Sequence, residues 1–146
     1  MSLDPYDFNC THAVLAFELR RRDADVAAAP LPSALLPGPT GRGGRQLADL
    51  ERVWGRSFTV APTADIEAAF VGFGNGARGI VAVVWSLVAA GHVFSVLNVE
   101  GGLRFVDPQT AESDVGHYLG LASWSAYLRV DDIAPDLDAM PDAVTR

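Results

Sequence analysis

The spacing of apolar residues changes once along this chain, between Phe70 and Gly79, and that change leaves few arrangements open. Ahead of it the pattern is helical. Ala13, Val14, Phe17 and Leu19 predict a helix from Cys10 to about Arg22, and its end carries Arg20, Arg21 and Arg22, where the helix dipole favours cations. Asn9 fits the N-cap, which puts Cys10 in the first turn. Leu47, Leu50, Val53 and Trp54 predict a second helix over Gln46 to Trp54, and the cap-like start Thr63-Ala64-Asp65-Ile66-Glu67 opens a third, to Phe70. Asp25 to Ala29 and Ser57 to Ala61 fit short strands, and the Pro- and Gly-rich stretch from Pro30 to Arg45 reads as a surface loop.

Past the change, Gly79 to Leu87, His92 to Val99, Leu103 to Asp107 and Ser125 to Val130 are β-branched and aromatic runs, several of them divided by Gly-bearing turns. Helices first and strands afterwards predict an α+β domain, with the helices packed on one side of a mostly antiparallel sheet. From Asp131 on, Pro135 and Pro141 among acidic residues predict an irregular edge or loose end, the tail 131–146. Residues 1–8 read as a lead-in, in which Met1-Ser2-Leu3 resembles a start added when a domain is cut from a larger protein. A chain of 146 residues, 49% of them hydrophobic, is expected to form one domain, 1–146, around one core.

Charge and cysteine usage remove several function classes. The net charge is -7 and the basic residues, all arginine, are scattered instead of forming a stripe, so nucleic acid is not an expected partner. Without lysine there is no Schiff-base or phosphate-loop lysine chemistry. The longest apolar run, Ile80 to Ala90, is broken by Ser86 and is too short for a membrane span. One cysteine excludes an intramolecular disulfide, a multi-thiolate zinc site and a Cys-x-x-Cys redox pair, and no cofactor or metal is called for. Gly74-Asn75-Gly76-Ala77-Arg78-Gly79 satisfies a dinucleotide fingerprint on paper, but a helix precedes it and a strand follows, the reverse of what that motif needs, so it reads as a turn. His12 and His117 read as ordinary polar positions, His12 with a minor claim to line a site.

Cys10 combines with two later residues. A thiol in the first turn of a helix faces unpaired backbone N–H groups and the positive end of the dipole, both of which favour a thiolate. His92 opens a strand directly after Gly91, so its side chain projects from the end of the sheet. The hairpin signal Glu100-Gly101-Gly102 returns the chain through Leu103 to Asp107. A turn at Glu100-Gly101 sets Phe94 opposite Asp107, a turn at Gly101-Gly102 sets Val96 there, and either register puts His92 and Asp107 on one face, whereas a three-residue turn would put them on opposite faces. A carboxylate beside a histidine fixes its tautomer, and the histidine in turn takes or holds the thiol proton. The Cys10 backbone N–H is the natural first donor to a tetrahedral oxyanion, with Gln109 or Asn9 as the second. Taken singly, Cys10 also fits a packed core thiol, His92 a strand end and Asp107-Pro108 a turn opener; together they fit three groups converging from a helix start and two adjacent strands.

Asn9-Cys10 with the helix that follows, Asp25-Val26, Ala29-Pro30, then Gly91-His92-Val93-Phe94-Ser95-Val96 and Phe105-Val106-Asp107-Pro108-Gln109-Thr110 resemble, in order, the blocks of the papain-fold toxin domains of glutamine deamidase type in bacterial polymorphic toxins. The resemblance implies a papain-like (cysteine protease or transglutaminase-like) fold, catalytic roles for Cys10, His92 and Asp107, and a site-lining role for Gln109. It also implies hydrolysis of a glutamine carboxamide in a target protein, delivery into a target cell's cytoplasm as part of a larger secreted effector, and a cognate immunity protein. Many such domains carry a further Cys where this chain has Ala13. A papain-like cysteine protease or acyltransferase would use the same residues, and a catalytically idle binding module would keep only the fold.

Overall fold

The helical half of the sequence folds as its periodicity requires. The structure, a computed structural model, describes residues 10–30, 46–87 and 90–145. Helix α1 (Cys10–Arg21) ends in Arg20 and Arg21, and α2 (Leu47–Trp54) stops at Gly55, whose φ of 63° is the left-handed conformation that ends helices. Helix α3 (Thr63–Phe73) follows Pro62 and ends at Gly74. The Gly74–Gly79 run is a turn leading into a strand, with Gly74 and Gly76 at φ 94° and 88°. The strand expected over Asp25 to Ala29 shortens to β1 (Ala27–Ala28), and that over Ser57 to Ala61 to β2 (Thr59–Val60). Apart from Pro30, the Pro- and Gly-rich stretch lies outside the described residues. Among those described, no helix is long and apolar enough to cross a membrane.

The second half forms β3 (Arg78–Trp85), β4 (Gly91–Val99), β5 (Gly102–Val106) and β6 (Ala122–Arg129). With β2 they make a five-stranded sheet in the order β2-β6-β3-β4-β5, every pair antiparallel. The β4–β5 hairpin adopts the first of the two expected registers, with Val99 opposite Gly102. Its turn residues Glu100 and Gly101 have φ of 54° and 88°, the left-handed pair that matches the twist of a two-residue hairpin, and the Asn98 side chain accepts the Gly101 N–H at 2.8 Å.

The helices do not share one side of the sheet, which corrects the expectation from element order. Leu15 and Leu19 of α1 and Leu50, Val53 and Trp54 of α2 pack on Ile80, Ala82, Val93 and Leu128. Ile66 and Phe70 of α3 pack on the opposite face, against Val81, Val83, Phe94 and Val96. The reason lies in β3 and β4, which carry apolar residues at successive positions instead of alternating ones, so both faces must be covered to keep them from water. Gly79 permits the second packing: a Cβ there would stand 2.3 Å from Phe70 Cζ and 2.7 Å from the Leu128 carbonyl.

The tail is not a loose end. Met140 and Ala143 are buried in the α1–α2 layer, the Ala29 N–H donates to the Ala143 carbonyl at 2.8 Å, and β7 (Val144–Thr145) pairs antiparallel with β1. A buried ion cluster fixes α1 to the sheet: the Glu18 carboxylate accepts from Arg78 Nη2 at 2.8 Å and from Arg22 Nε at 3.1 Å. Helix α1 is therefore held at its C-terminal half, and its N-terminal turn is carried to a defined place at the other end of the strands.

Candidate active site

Cys10 opens α1 and packs, half-buried, against the α1–α2 layer. His92 comes from the opposite side. It pairs with Val83 across β3 and β4 and alternates with Phe94 onto the face that α3 covers. Because β4 begins at Gly91, the sheet ends one residue before His92, and around that end His92 and Cys10 line one cleft. Asp107 follows the last residue of β5, and its backbone N–H donates to the Glu112 carbonyl at 2.8 Å, an isolated bridge within the loop that follows β5. One step beyond Ser95↔Val106, the register sets Asp107 across from Phe94, on the face of His92.

The contact is direct. His92 Nε2–H donates to Asp107 Oδ2 at 2.8 Å, which leaves Nδ1 as the ring nitrogen available to the thiol. Asp107 is 1% exposed, and its other oxygen, Oδ1, accepts the Gln109 N–H at 3.1 Å. Burial pulls the imidazole pKa down, but hydrogen bonds to Asp107 and Cys10 and the attraction of both outweigh it, and the pKa rises from 6.5 to about 9. Burial also works against the Asp107 carboxylate, and the hydrogen bonds from His92, Tyr118 and the Gln109 N–H override it, holding the group below the usual carboxylate range. At neutral pH the site therefore holds a protonated imidazole between the Asp107 carboxylate and the Cys10 sulfur.

Aromatic rings enclose this pair. Trp85, two residues along β3 from the partner of His92, stacks on the imidazole, and Tyr118 stands edge-on to both rings while its hydroxyl donates to Asp107 Oδ2 at 2.9 Å. Tyr118 lies on a 3-10 helix, Gly116–Leu121, just before β6. The open side is a cleft of about 290 Å³, lined among the described residues by Cys10, Thr11, Gln46, Leu47, Gly91, His92, Trp124 and the ends of β3 and β4. A larger groove, about 540 Å³, lies at the other end of α1 between Leu19, Val26, Leu137 and Met140, with no thiol or imidazole in its walls.

Three of the residues singled out in the sequence, Cys10, His92 and Asp107, are brought together. Asn9 lies outside the described residues. Gln109, expected to line the site, reaches it through its backbone N–H on Asp107, and Gln46, at the N-cap of α2, is among the described residues that line the cleft. His12 is fully buried and its Nδ1–H donates to the Ala29 carbonyl at 2.9 Å, so it ties α1 to the residue after β1; His117 is exposed. Trp85, Tyr118, Trp124 and Gln46 had not been singled out. Only Trp85 left a usable signal, since strand alternation puts it on the face of Val83 and hence of His92.

Comparison with known proteins bears on the family and the fold. No curated protein matches the chain. A family model described as papain fold toxin 1, glutamine deamidase, matches residues 8–112, a span that includes Cys10, His92 and Asp107. An α+β fold with the thiol on an N-terminal helix packed on an antiparallel sheet is what such a match requires, and the chain belongs to the papain-fold toxin 1, glutamine deamidase family.

Proposed function

We propose that this chain is a cysteine amidohydrolase toxin domain that converts a glutamine side chain of a target protein to glutamate. The observation that carries the reading is the His92 imidazole, hydrogen-bonded to Asp107 through Nε2 and sharing one cleft with the Cys10 thiol at a helix start. With a pKa of about 9 the imidazole holds its proton at neutral pH, beside the sulfur that acts as the nucleophile. Cys10 sulfur attacks the carboxamide carbon, and the oxyanion is held by the Cys10 backbone N–H, with the Gln46 side-chain amide suited to be the second donor. The carbon–nitrogen bond then breaks as His92 gives its proton to the leaving nitrogen, so ammonia departs and a thioester remains. Neutral His92 next takes a proton from water, the hydroxide attacks the thioester carbon, and the carbon–sulfur bond breaks to release glutamate and restore the thiolate–imidazolium pair. Asp107 holds the ring in the tautomer both steps need.

In this reading the domain acts in the cytoplasm of a target cell after delivery as part of a larger effector, and a cognate immunity protein protects the producer. The test is ammonia release from glutaminyl peptides and intact-mass analysis of cytosolic proteins incubated with wild type and Cys10→Ala. Wild type should add about one mass unit per site, the difference between an amide and an acid, and Cys10→Ala should add none. Peptide fragments would transfer the same residues to a protease. No product, together with no labelling of Cys10 beyond that of a free thiol, would leave an idle binding module.

A further inference from the structure

Asp107 receives three hydrogen bonds, and two of them fall on one atom. His92 Nε2–H and the Tyr118 hydroxyl both donate to Oδ2, at 2.8 and 2.9 Å, while the Gln109 N–H holds Oδ1 at 3.1 Å. A carboxylate held through one oxygen can turn about its own axis; donors on both oxygens, with two converging on Oδ2, fix its plane. Tyr118 is itself fixed, its ring edge-on to Trp85 at 5.2 Å, Phe94 at 5.2 Å and His92 at 5.9 Å between centroids.

We propose that Tyr118 is a positioning residue for the reaction, its hydroxyl fixing Asp107 Oδ2 for His92 and sharing that oxygen with the imidazole. Sharing has a chemical consequence. An oxygen that accepts two hydrogen bonds gives less electron density to each, so Tyr118 weakens the grip of Asp107 on the His92 proton, which has to leave the ring in one step and return in the next. Toward Asp107 the phenol acts as a donor: burial and the neighbouring carboxylate push its pKa up to about 12, so it keeps its proton wherever the site operates. The other charged or titratable groups around it are His92 from β4, with Cys10 beyond it, Glu112 in the loop after β5, and His117 on its own 3-10 helix, whose ring lies 5.0 Å away; Thr110 hydrogen-bonds the same hydroxyl. All of these remain when only the hydroxyl is removed.

The role rests on the deamidation reading for its meaning, but its test does not. The rate of Cys10 alkylation by iodoacetamide, followed from pH 4 to 10.5 in the full chain, reports the thiolate–imidazolium pair without any substrate. In Tyr118→Phe the whole of Oδ2 passes to His92, and the upper inflection, where His92 loses its proton, should move up by roughly half a pH unit. With benzyloxycarbonyl-glutaminylglycine as probe, kcat for ammonia release should fall about three- to tenfold with KM unchanged. If Tyr118→Phe does not fold, 2,3-difluorotyrosine placed at residue 118 keeps the ring, donates more strongly, and should move the inflection down. Coincident inflections in the wild type and either variant would overturn the proposal and leave Tyr118 a packing residue. A shifted inflection with no ammonia from the wild type would instead sink the deamidation reading and leave the positioning role standing.

Discussion

The indole of Trp85 lies close to parallel with the imidazole of His92, the ring centroids 6.0 Å apart and the planes 25° from parallel. One side of the ring that carries the proton is thus covered by an aromatic face, which attracts a cation and excludes water. Such a contact is worth about 1 kcal/mol. Trp85→Ala is expected to lower the deamidation rate about tenfold, and Trp85→Phe to recover most of it, as measured by single-turnover ammonia release with folding checked by circular dichroism. Equal rates in all three proteins would remove Trp85 from the site.

Stability should depend on pH through His92 and Asp107 on opposite sides. The His92 pKa is raised from 6.5 to about 9, so its contribution is complete below pH 6.5 and is lost as pH climbs through 9, a change of about 3 kcal/mol. Asp107 is held below 3.8, so its contribution is present above that pH and is lost as pH falls further. Melting temperature should therefore decline between pH 6.5 and 9 in the wild type and much less in His92→Gln. A wild type that melts identically at pH 6 and pH 9 would contradict the charge pair.

Gly79→Ala tests the two-faced packing. The added methyl would meet Phe70 and the Leu128 carbonyl inside contact distance, and backbone cannot yield as a side-chain tip can. A loss of about 1–3 kcal/mol in urea unfolding is expected. Gly79→Ala with Phe70→Leu should recover part of it, since the shorter side chain frees space at the strand.

Glu18 is 3% exposed and binds two guanidinium groups. Glu18→Ala leaves both without their carboxylate and should cost about 3 kcal/mol. Because Glu18 lies toward the opposite end of α1 from Cys10, protein that remains folded should keep its Cys10 alkylation rate at pH 7. A changed rate at unchanged fold would mean that the far end of the helix controls the thiol.

Much of this architecture was legible because it depends on local pattern. The three helices and the strands from β3 to β6 follow from spacing and β-branched content, with ends displaced by a few residues at most. The Glu100-Gly101 turn set the hairpin count, and the count put His92 and Asp107 on one face. What escaped depends on contacts between distant segments. The run Ile80-Val81-Ala82-Val83 states that both faces of β3 are buried, yet element order alone suggested helices on a single side. Tyr118 sits in a 3-10 turn with no periodicity to mark it, and the tail is held by Met140, Ala143 and a two-residue strand too short to leave a pattern.

The thiol and the imidazole come from opposite layers and meet only around the end of the strands. Neither layer holds a working pair by itself. An unfolded chain carries its sulfur and its ring as separate, ordinary groups, and they come together only once both layers have closed on the sheet.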